Sequence, residues 1–113
     1  MEVRFKSRRL ERAFNREKAA VCEWGKENAD RALQRYLDLR AAECLADVFL
    51  LPAARCHELK GNRKGQFAVY CRHPFRLVLV PDQDPVPRTA DGGIDPAKVT
   101  KIRIIAVEDY HGR

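Results

Sequence analysis

The amino-acid sequence predicts an α+β fold, in which an N-terminal strand and two helices pack on one face of a twisted, mostly antiparallel sheet. Two observations lead to this prediction. Apolar residues recur at steps of three and four before residue 44, as in amphipathic helices, and they alternate with polar residues after Pro52, as in strands. The chain has 113 residues, so we expect a single domain over residues 1–113.

The N-terminal part is predicted to hold one strand and two helices. Glu2–Lys6 is short and alternating, which favours a strand. Ser7 is a typical N-cap residue, and we expect a first helix over Ser7–Phe14. The apolar spacing over Arg16–Glu43 predicts a long amphipathic helix that bends at Gly25. Four of its large side chains are expected to face the sheet: Trp24, Leu33, Tyr36 and Leu37.

Strands are predicted to follow Pro52, because this proline ends any helix before it. Their predicted ranges are Ala54–Leu59, Gln66–Arg72, Phe75–Val80 and Lys101–Glu108. A turn bounded by two glycines connects the first two strands. Pro81–Pro96 holds four of the six prolines and a Gly-Gly pair, which indicates a loop before the last strand.

The composition excludes several classes of protein. Hydrophobic residues make up 45% of the chain and charged residues 34%, a balance that argues against wholesale disorder. The longest apolar runs are far shorter than the roughly 20 residues that a membrane-spanning helix needs. No apolar segment follows the N-terminal residues as it would in a secretion signal. We therefore expect a cytoplasmic protein without a membrane partner.

The four cysteines do not form a recognisable metal or redox motif. They stand at positions 22, 44, 56 and 71, with no C-x-x-C pair and no histidine at zinc-finger spacing. In a reducing compartment such cysteines are typically free, buried thiols. The sequence therefore predicts no metal site and no cofactor.

The positive charge of the chain is concentrated in one segment. The formal net charge is +6, and residues 55–76 contain six Lys and Arg against one Glu, a net charge of +5. Such a concentration favours a polyanionic partner, for which RNA or DNA phosphate is the first candidate. A solvated basic face without function is the alternative that charge alone leaves open.

Three groups of residues could carry proton-transfer chemistry beside this basic segment. The first is His57 with Lys60, which can share a site only if the strand ends or twists near Leu59. The second is Arg76 among apolar strand residues, and the third is the C-terminal run Glu108-Asp109-Tyr110-His111. Together they suit transesterification of an RNA phosphodiester, which needs a base, an acid and cations beside the phosphorane. Because the 2′-OH nucleophile belongs to the substrate, the reaction requires no metal.

Three stretches of the sequence resemble a known family. They are His57-Glu58-Leu59-Lys60-Gly61-Asn62-Arg63-Lys64-Gly65-Gln66-Phe67, then Pro74-Phe75-Arg76-Leu77, and finally Glu108-Asp109-Tyr110-His111. In these stretches the chain resembles the HigB-type toxins of the RelE/ParE superfamily, which belong to type II toxin–antitoxin modules and are also called plasmid maintenance killer proteins. The resemblance implies a RelE-like fold and ribosome-dependent endonucleolytic cleavage of mRNA.

The resemblance also implies particular site residues and partners. It points to an active site made of His57, Lys60, Arg76, Asp109, Tyr110 and His111. It implies neutralisation by a HigA-like helix-turn-helix antitoxin, with operator DNA bound only through the toxin–antitoxin complex. From the basic segment, we further expect Arg63, Lys64 and Arg72 to bind RNA.

The sequence leaves other functions open. A ParE-like inhibitor of gyrase would not need the acid–base residues, which argues against that function. A non-catalytic nucleic-acid-binding protein would use only the basic segment, and a degenerate toxin would keep the fold without the activity. The loop over Pro81–Thr100 is longer than in the smallest family members, and it could alter contacts with the antitoxin or the ribosome.

Overall fold

The computed structural model describes residues 1–109, which form four helices, five strands and three short 3₁₀ turns. The helices are α1 (Arg8–Asn15), α2 (Glu17–Trp24), α3 (Lys26–Ala41) and α4 (Leu45–Phe49). The strands are β1 (Glu2–Phe5), β2 (His57–Glu58), β3 (Phe67–Arg72), β4 (Phe75–Pro81) and β5 (Lys101–Asp109). The 3₁₀ turns span Pro52–Ala54, Gly61–Arg63 and Pro96–Lys98. The predicted α+β class is confirmed.

The five strands form one mixed sheet in the order β1-β5-β4-β3-β2. β1 runs parallel to β5, and the other three neighbouring pairs are antiparallel. The prediction of a mostly antiparallel sheet is therefore confirmed. Since β5 comes last in the chain yet lies between β1 and β4, the two ends of the described chain meet in the sheet.

The first two helices begin where the sequence predicts, but the long helix predicted from Arg16 onwards is interrupted. The Leu10 N–H donates to Ser7 Oγ at 3.2 Å, so Ser7 caps α1. The single bent helix predicted over Arg16–Glu43 is instead α2 and α3. They meet at Gly25, whose φ of +81° is a conformation that residues with a side chain rarely adopt. The glycine therefore ends one helix and starts the next.

The helices cover one face of the sheet with a continuous apolar core. Its fully buried residues include Leu39, Leu77, Leu79 and Ile104. Partly buried side chains of the helices pack against them, including Trp24, Leu33 and Tyr36 as predicted. The prediction that Leu37 faces the sheet is wrong, because Leu37 is 55% exposed. Leu37 stands about 200° around the helix from the buried Leu39, so one of the two must face solvent.

The strand predicted over Ala54–Leu59 is reduced to the two residues of β2. Pro52 starts a 3₁₀ turn, and Arg55 then adopts a left-handed conformation with φ +45° and ψ +42°. Extended backbone can begin only after this residue. Since β2 ends at Glu58, the condition that the sequence set for His57 and Lys60 to share a site is met.

A buried arginine holds α3 against the segment that precedes β2. Arg35 is only 7% exposed, and its Nε donates to the Tyr70 carbonyl at 2.8 Å. Its Nη2 donates to the Ala53 carbonyl at 3.3 Å, and its Nη1 binds Asp38 at 2.9 Å. The β3–β4 register shifts between Tyr70 and Arg72. Arg35 therefore connects the helix layer to the end of β3 and to the turn before β2. These two segments carry the site.

Candidate active site on the open face of the sheet

The face of the sheet opposite the helices carries a row of polar side chains across three strands. Tyr70 on β3 pairs with Arg76 on β4, which pairs with Glu108 on β5. In the next row, His57 on β2 lies opposite the small Ala68. Because side chains on one face recur every second residue, all five belong to the same surface. We call it the open face.

The ring of His57 is oriented by the backbone of a nearby residue. Its Nδ1 lies 2.9 Å from the carbonyl oxygen of Arg55. A carbonyl oxygen only accepts hydrogen bonds, so Nδ1 carries the proton and donates it. In the neutral ring Nε2 then holds the lone pair, which is the arrangement that a general base requires. His57 is exposed, so this nitrogen is accessible to a substrate.

Two arginines converge on one carboxylate at the other end of the polar row. Arg63 donates from Nη1 and Nη2 to the two carboxylate oxygens of Glu108, at 2.8 and 3.1 Å. Arg76 binds Glu108 Oε2 through Nε at 2.9 Å and through Nη2 at 2.7 Å. Hydrogen bonds from Arg63 first, and also from Arg76, lower the pKa of Glu108 against the opposing effect of desolvation. Glu108 is therefore a fixed anion that orients both guanidinium groups.

A concavity of about 240 Å³ lies between β2, β3 and β4. It is lined by Arg55, His57, Ala68, Tyr70 and Arg76. Two guanidinium groups and an imidazole thus surround a space whose floor is a methyl group. This arrangement suits an anion, and it places a proton-transfer group beside a charge-stabilising group.

A second concavity, of about 280 Å³, lies between α1, α2 and β5. Apolar side chains such as Leu10, Trp24 and Val107 contribute much of its lining. Its charged groups, Arg9 and Glu23, are already paired with each other. The open-face concavity is therefore the better candidate for chemistry.

The remaining residues expected at the site occupy several places. Lys60 is exposed and precedes the 3₁₀ turn that follows β2. Lys64 is exposed and lines a separate concavity with Glu58 and Arg88. Arg63 reaches the polar row through Glu108.

Of the described residues expected at the site, only His57 and Arg76 line the concavity. Arg72 forms an ion pair with Glu27 of α3 at 2.6 Å, so it lies towards the helix layer. Asp109 follows Glu108 on β5, and by alternation its side chain starts on the opposite side of the sheet from Arg76. Tyr110 and His111 lie outside the described residues.

Three residues of the site are not among the site residues predicted from the sequence: Arg55, Tyr70 and Glu108. The alternation along β3 offered a signal for Tyr70, since it shares a face with Ala68. Glu108 stood next to the singled-out Asp109, and only the register of β5 shows that it faces Arg76. Nothing in the sequence marks Arg55 as left-handed, because that conformation usually falls on glycine or asparagine.

The fold, but not the sequence, is similar to those of known proteins. Neither a protein-family model nor a curated protein sequence matches the chain. The fold, helices on one face of a mixed five-stranded sheet, is shared with a solved structure of a YoeB–YefM complex.

A solved structure titled as the YoeB–YefM complex from Staphylococcus aureus is similar to this chain, with a TM-score of 0.55 and 15% sequence identity. The similarity covers 96% of this chain and 94% of that one. A YoeB/ParE toxin from Agrobacterium tumefaciens is also similar, with a TM-score of 0.49, 12% identity and coverage of 96% and 98%.

The described residues contain neither a cluster of metal-ligating side chains nor a membrane helix. Within residues 1–109, no group of three or more His, Cys, Asp or Glu is placed to hold a metal ion. The same residues contain no helix with the length and apolar character needed to cross a bilayer.

Proposed function

We propose that this chain is the toxin of a type II toxin–antitoxin pair and that it is an endoribonuclease. One observation carries the proposal: His57 and Arg76 line the same open-face concavity, with the His57 ring oriented by the Arg55 carbonyl. The RelE/YoeB toxin fold supports it. A concavity that pairs an imidazole with a guanidinium suits cleavage of a phosphodiester.

The proposed reaction is transesterification by the ribose 2′-OH. A base removes the 2′-OH proton, the oxygen attacks the adjacent phosphorus, and the bond to the 5′-oxygen breaks as that oxygen receives a proton. His57 and His111 share these two proton transfers in the proposal. Arg76 stabilises the phosphorane, and Lys60 adds positive charge. Asp109 orients a histidine or serves as an alternative general base. Tyr110 stacks on a nucleobase or supplies a proton.

The proposed substrate is mRNA in the decoding site of the ribosome. The resemblance to HigB-type toxins supports it, and so does the net charge of +5 over residues 55–76. Arg63, Lys64 and Arg72 are proposed to contact RNA phosphates. Of these, Lys64 is exposed, whereas Arg63 and Arg72 must exchange a carboxylate partner for phosphate.

The proposed protein partner is a HigA-like helix-turn-helix antitoxin. A YoeB–YefM complex among the structures with this fold supports a protein partner. Operator DNA is then bound only by the toxin–antitoxin complex, and the site of action is the cytoplasm. A small helix-turn-helix protein encoded by the neighbouring gene is expected.

The test is cleavage of a defined mRNA by the purified protein, with and without programmed ribosomes. We expect cleavage on the ribosome and products with a 2′,3′-cyclic phosphate and a 5′-hydroxyl, the groups that attack by the 2′-OH leaves. Inhibition of gyrase without RNA cleavage would instead favour a ParE-like function. RNA binding without cleavage under any condition would favour a non-catalytic nucleic-acid-binding protein.

A further inference from the structure

Arg55 and Tyr70 form a stacked pair inside the open-face concavity. The guanidinium carbon of Arg55 lies 5.0 Å from the centroid of the Tyr70 ring, within the range of a cation–π contact. The Tyr70 hydroxyl accepts a hydrogen bond from the His73 N–H at 3.0 Å, which fixes the ring at its tip. Both side chains line the same space as His57 and Arg76.

The backbone of Arg55 is unusual for a residue with a long side chain. Its φ of +45° is the one positive value among the non-glycine residues of the described chain. Such outliers persist only where the surroundings hold them, and they concentrate at functional sites. Here the same residue places its carbonyl oxygen beside His57 and its guanidinium over the Tyr70 ring.

We propose that Arg55 and Tyr70 form a nucleobase subsite, in which one unstacked base of the RNA is held between the Tyr70 ring and the Arg55 guanidinium. This inference rests on the proposed function for its substrate. Aromatic rings and guanidinium planes are the groups that proteins use to stack single-stranded bases. Arg55 is exposed, so its side chain can lift to admit the base.

The position of the subsite fits a single nucleotide. Tyr70 and Arg76 are directly paired on neighbouring strands, which brings their Cβ atoms to about 5 Å. One nucleotide can then place its base on Tyr70 and its phosphate at Arg76. The concavity of about 240 Å³ is small, and the methyl group of Ala68 leaves the space beside the ring unfilled. The subsite therefore positions the nucleotide next to the cleaved bond.

The experiment uses an RNA oligonucleotide that carries 2-aminopurine, whose fluorescence is quenched by stacking, next to a 2′-deoxy nucleotide that cannot be cleaved. Its binding is measured with the protein alone and in the decoding site of a programmed ribosome. We expect quenching with the wild-type protein. Tyr70→Ala should abolish the quenching and weaken binding about tenfold or more, whereas Tyr70→Phe should retain both.

Two further variants separate stacking from charge and from folding. Arg55→Ala changes an exposed side chain and should reduce the quenching, while Lys18→Ala on α2 removes an exposed positive charge elsewhere and should leave it unchanged. Circular dichroism checks that each variant is folded. Absence of quenching by the wild-type protein in both settings would overturn the subsite, and so would unchanged quenching in Tyr70→Ala.

The result also distinguishes the subsite from the proposed function. If wild-type protein cleaves no RNA but its quenching depends on Tyr70, the nuclease proposal fails and the subsite stands. If Tyr70→Ala cleaves mRNA with wild-type kcat/KM and quenches normally, the subsite fails and the nuclease proposal stands.

Discussion

The two faces of the sheet are built from the same strands and differ in what their alternate residues do. On the helix-bearing face, Leu77 and Leu79 of β4 are fully buried beneath α3 and its neighbours. On the open face, Arg76 of the same strand stands between Tyr70 and Glu108. The step from Leu77 to Arg76 on β4 thus changes the environment from a buried apolar core to a row of charged side chains.

The difference shows how a small chain separates stability from chemistry. Apolar area removed from water on the helix-bearing face supplies the main favourable term for folding. The open face then tolerates charged side chains, since they pair with one another or reach solvent. Substitutions on the two faces are therefore expected to change different measured quantities.

The largest expected effect is on activity, from Arg76→Ala on the open face. Loss of one preorganised cation beside the phosphorane should lower the rate of mRNA cleavage about 10²–10³-fold. The free energy of unfolding should change little, because Arg63 still pairs with Glu108. Cleavage assays and urea unfolding measure the two quantities, with Arg31→Ala on α3 as a charge-matched control. A stable, fully active Arg76→Ala protein would show that Arg76 has no role in the cleavage reaction.

The next effect is on stability, from Leu77→Ala on the helix-bearing face. Removing this fully buried side chain leaves a cavity and should cost about 2–5 kcal/mol in the free energy of unfolding. Leu37→Ala is a matched control in α3, because its side chain is largely exposed. Its change should stay within about 0.5 kcal/mol. Equal losses for the two variants in chemical denaturation would show that the assignment of the faces is wrong.

Arg35 joins the helix layer to the strand layer, so its substitution tests their connection. Arg35→Met keeps much of the apolar stem but leaves the Tyr70 and Ala53 carbonyls without these donors. A buried polar group left unsatisfied costs about 1–3 kcal/mol, and we expect a loss of that size in thermal or urea unfolding. A neutral or stabilising result would mean that apolar packing replaces these hydrogen bonds fully.

The Glu108 cluster predicts how stability depends on pH. Because the folded-state pKa of Glu108 is lowered, its stabilising effect is present above the unfolded pKa of about 4.3 and is lost as pH falls through the lower folded-state value. Subtracting the unfolding free energy of Glu108→Gln from that of the wild-type protein isolates this effect. The difference should be positive at pH 7 and shrink below pH 4. A difference that does not vary with pH would contradict the ion-pair account.

The smallest expected effect concerns thiol reactivity. All four cysteines are free, but Cys22 is exposed, so the prediction that the thiols are buried is wrong at that position. Burial raises the pKa of Cys56 to about 12 and that of Cys71 to about 11. At pH 8, Cys22 should react with a thiol reagent much faster than these two, as peptide mass spectrometry would show. Rapid labelling of Cys71 in the folded protein would contradict its burial.

Much of the fold follows from periodicity, because side-chain spacing is a local property of the chain. The cap at Ser7 and strands β3, β4 and β5 lie close to their predicted ranges. Periodicity indicates which residues share a face, but it does not give the register that sets Arg76 opposite Glu108. That register depends on contacts between distant segments.

The differences between the predicted and the observed arrangement have local causes as well. The register shift between Tyr70 and Arg72 interrupts the alternation of β3, and Arg72 pairs with Glu27 on α3. The sequence predicts that Arg72 binds RNA together with Arg63 and Lys64, and the ion pair with Glu27 places it towards the helix layer. The left-handed Arg55 carries no mark in the sequence, so the oriented His57 ring could not be foreseen.

The central claim is that proton transfer at the open face cuts RNA. It is tested most directly by the rate at which the His57→Ala/His111→Ala protein cleaves mRNA on programmed ribosomes, relative to wild-type protein and to Lys18→Ala. The account predicts a loss of at least about 10²-fold for the double variant, with its fold intact, and near-normal cleavage by Lys18→Ala. Near-normal cleavage by the double variant would contradict the account and place the chemistry elsewhere.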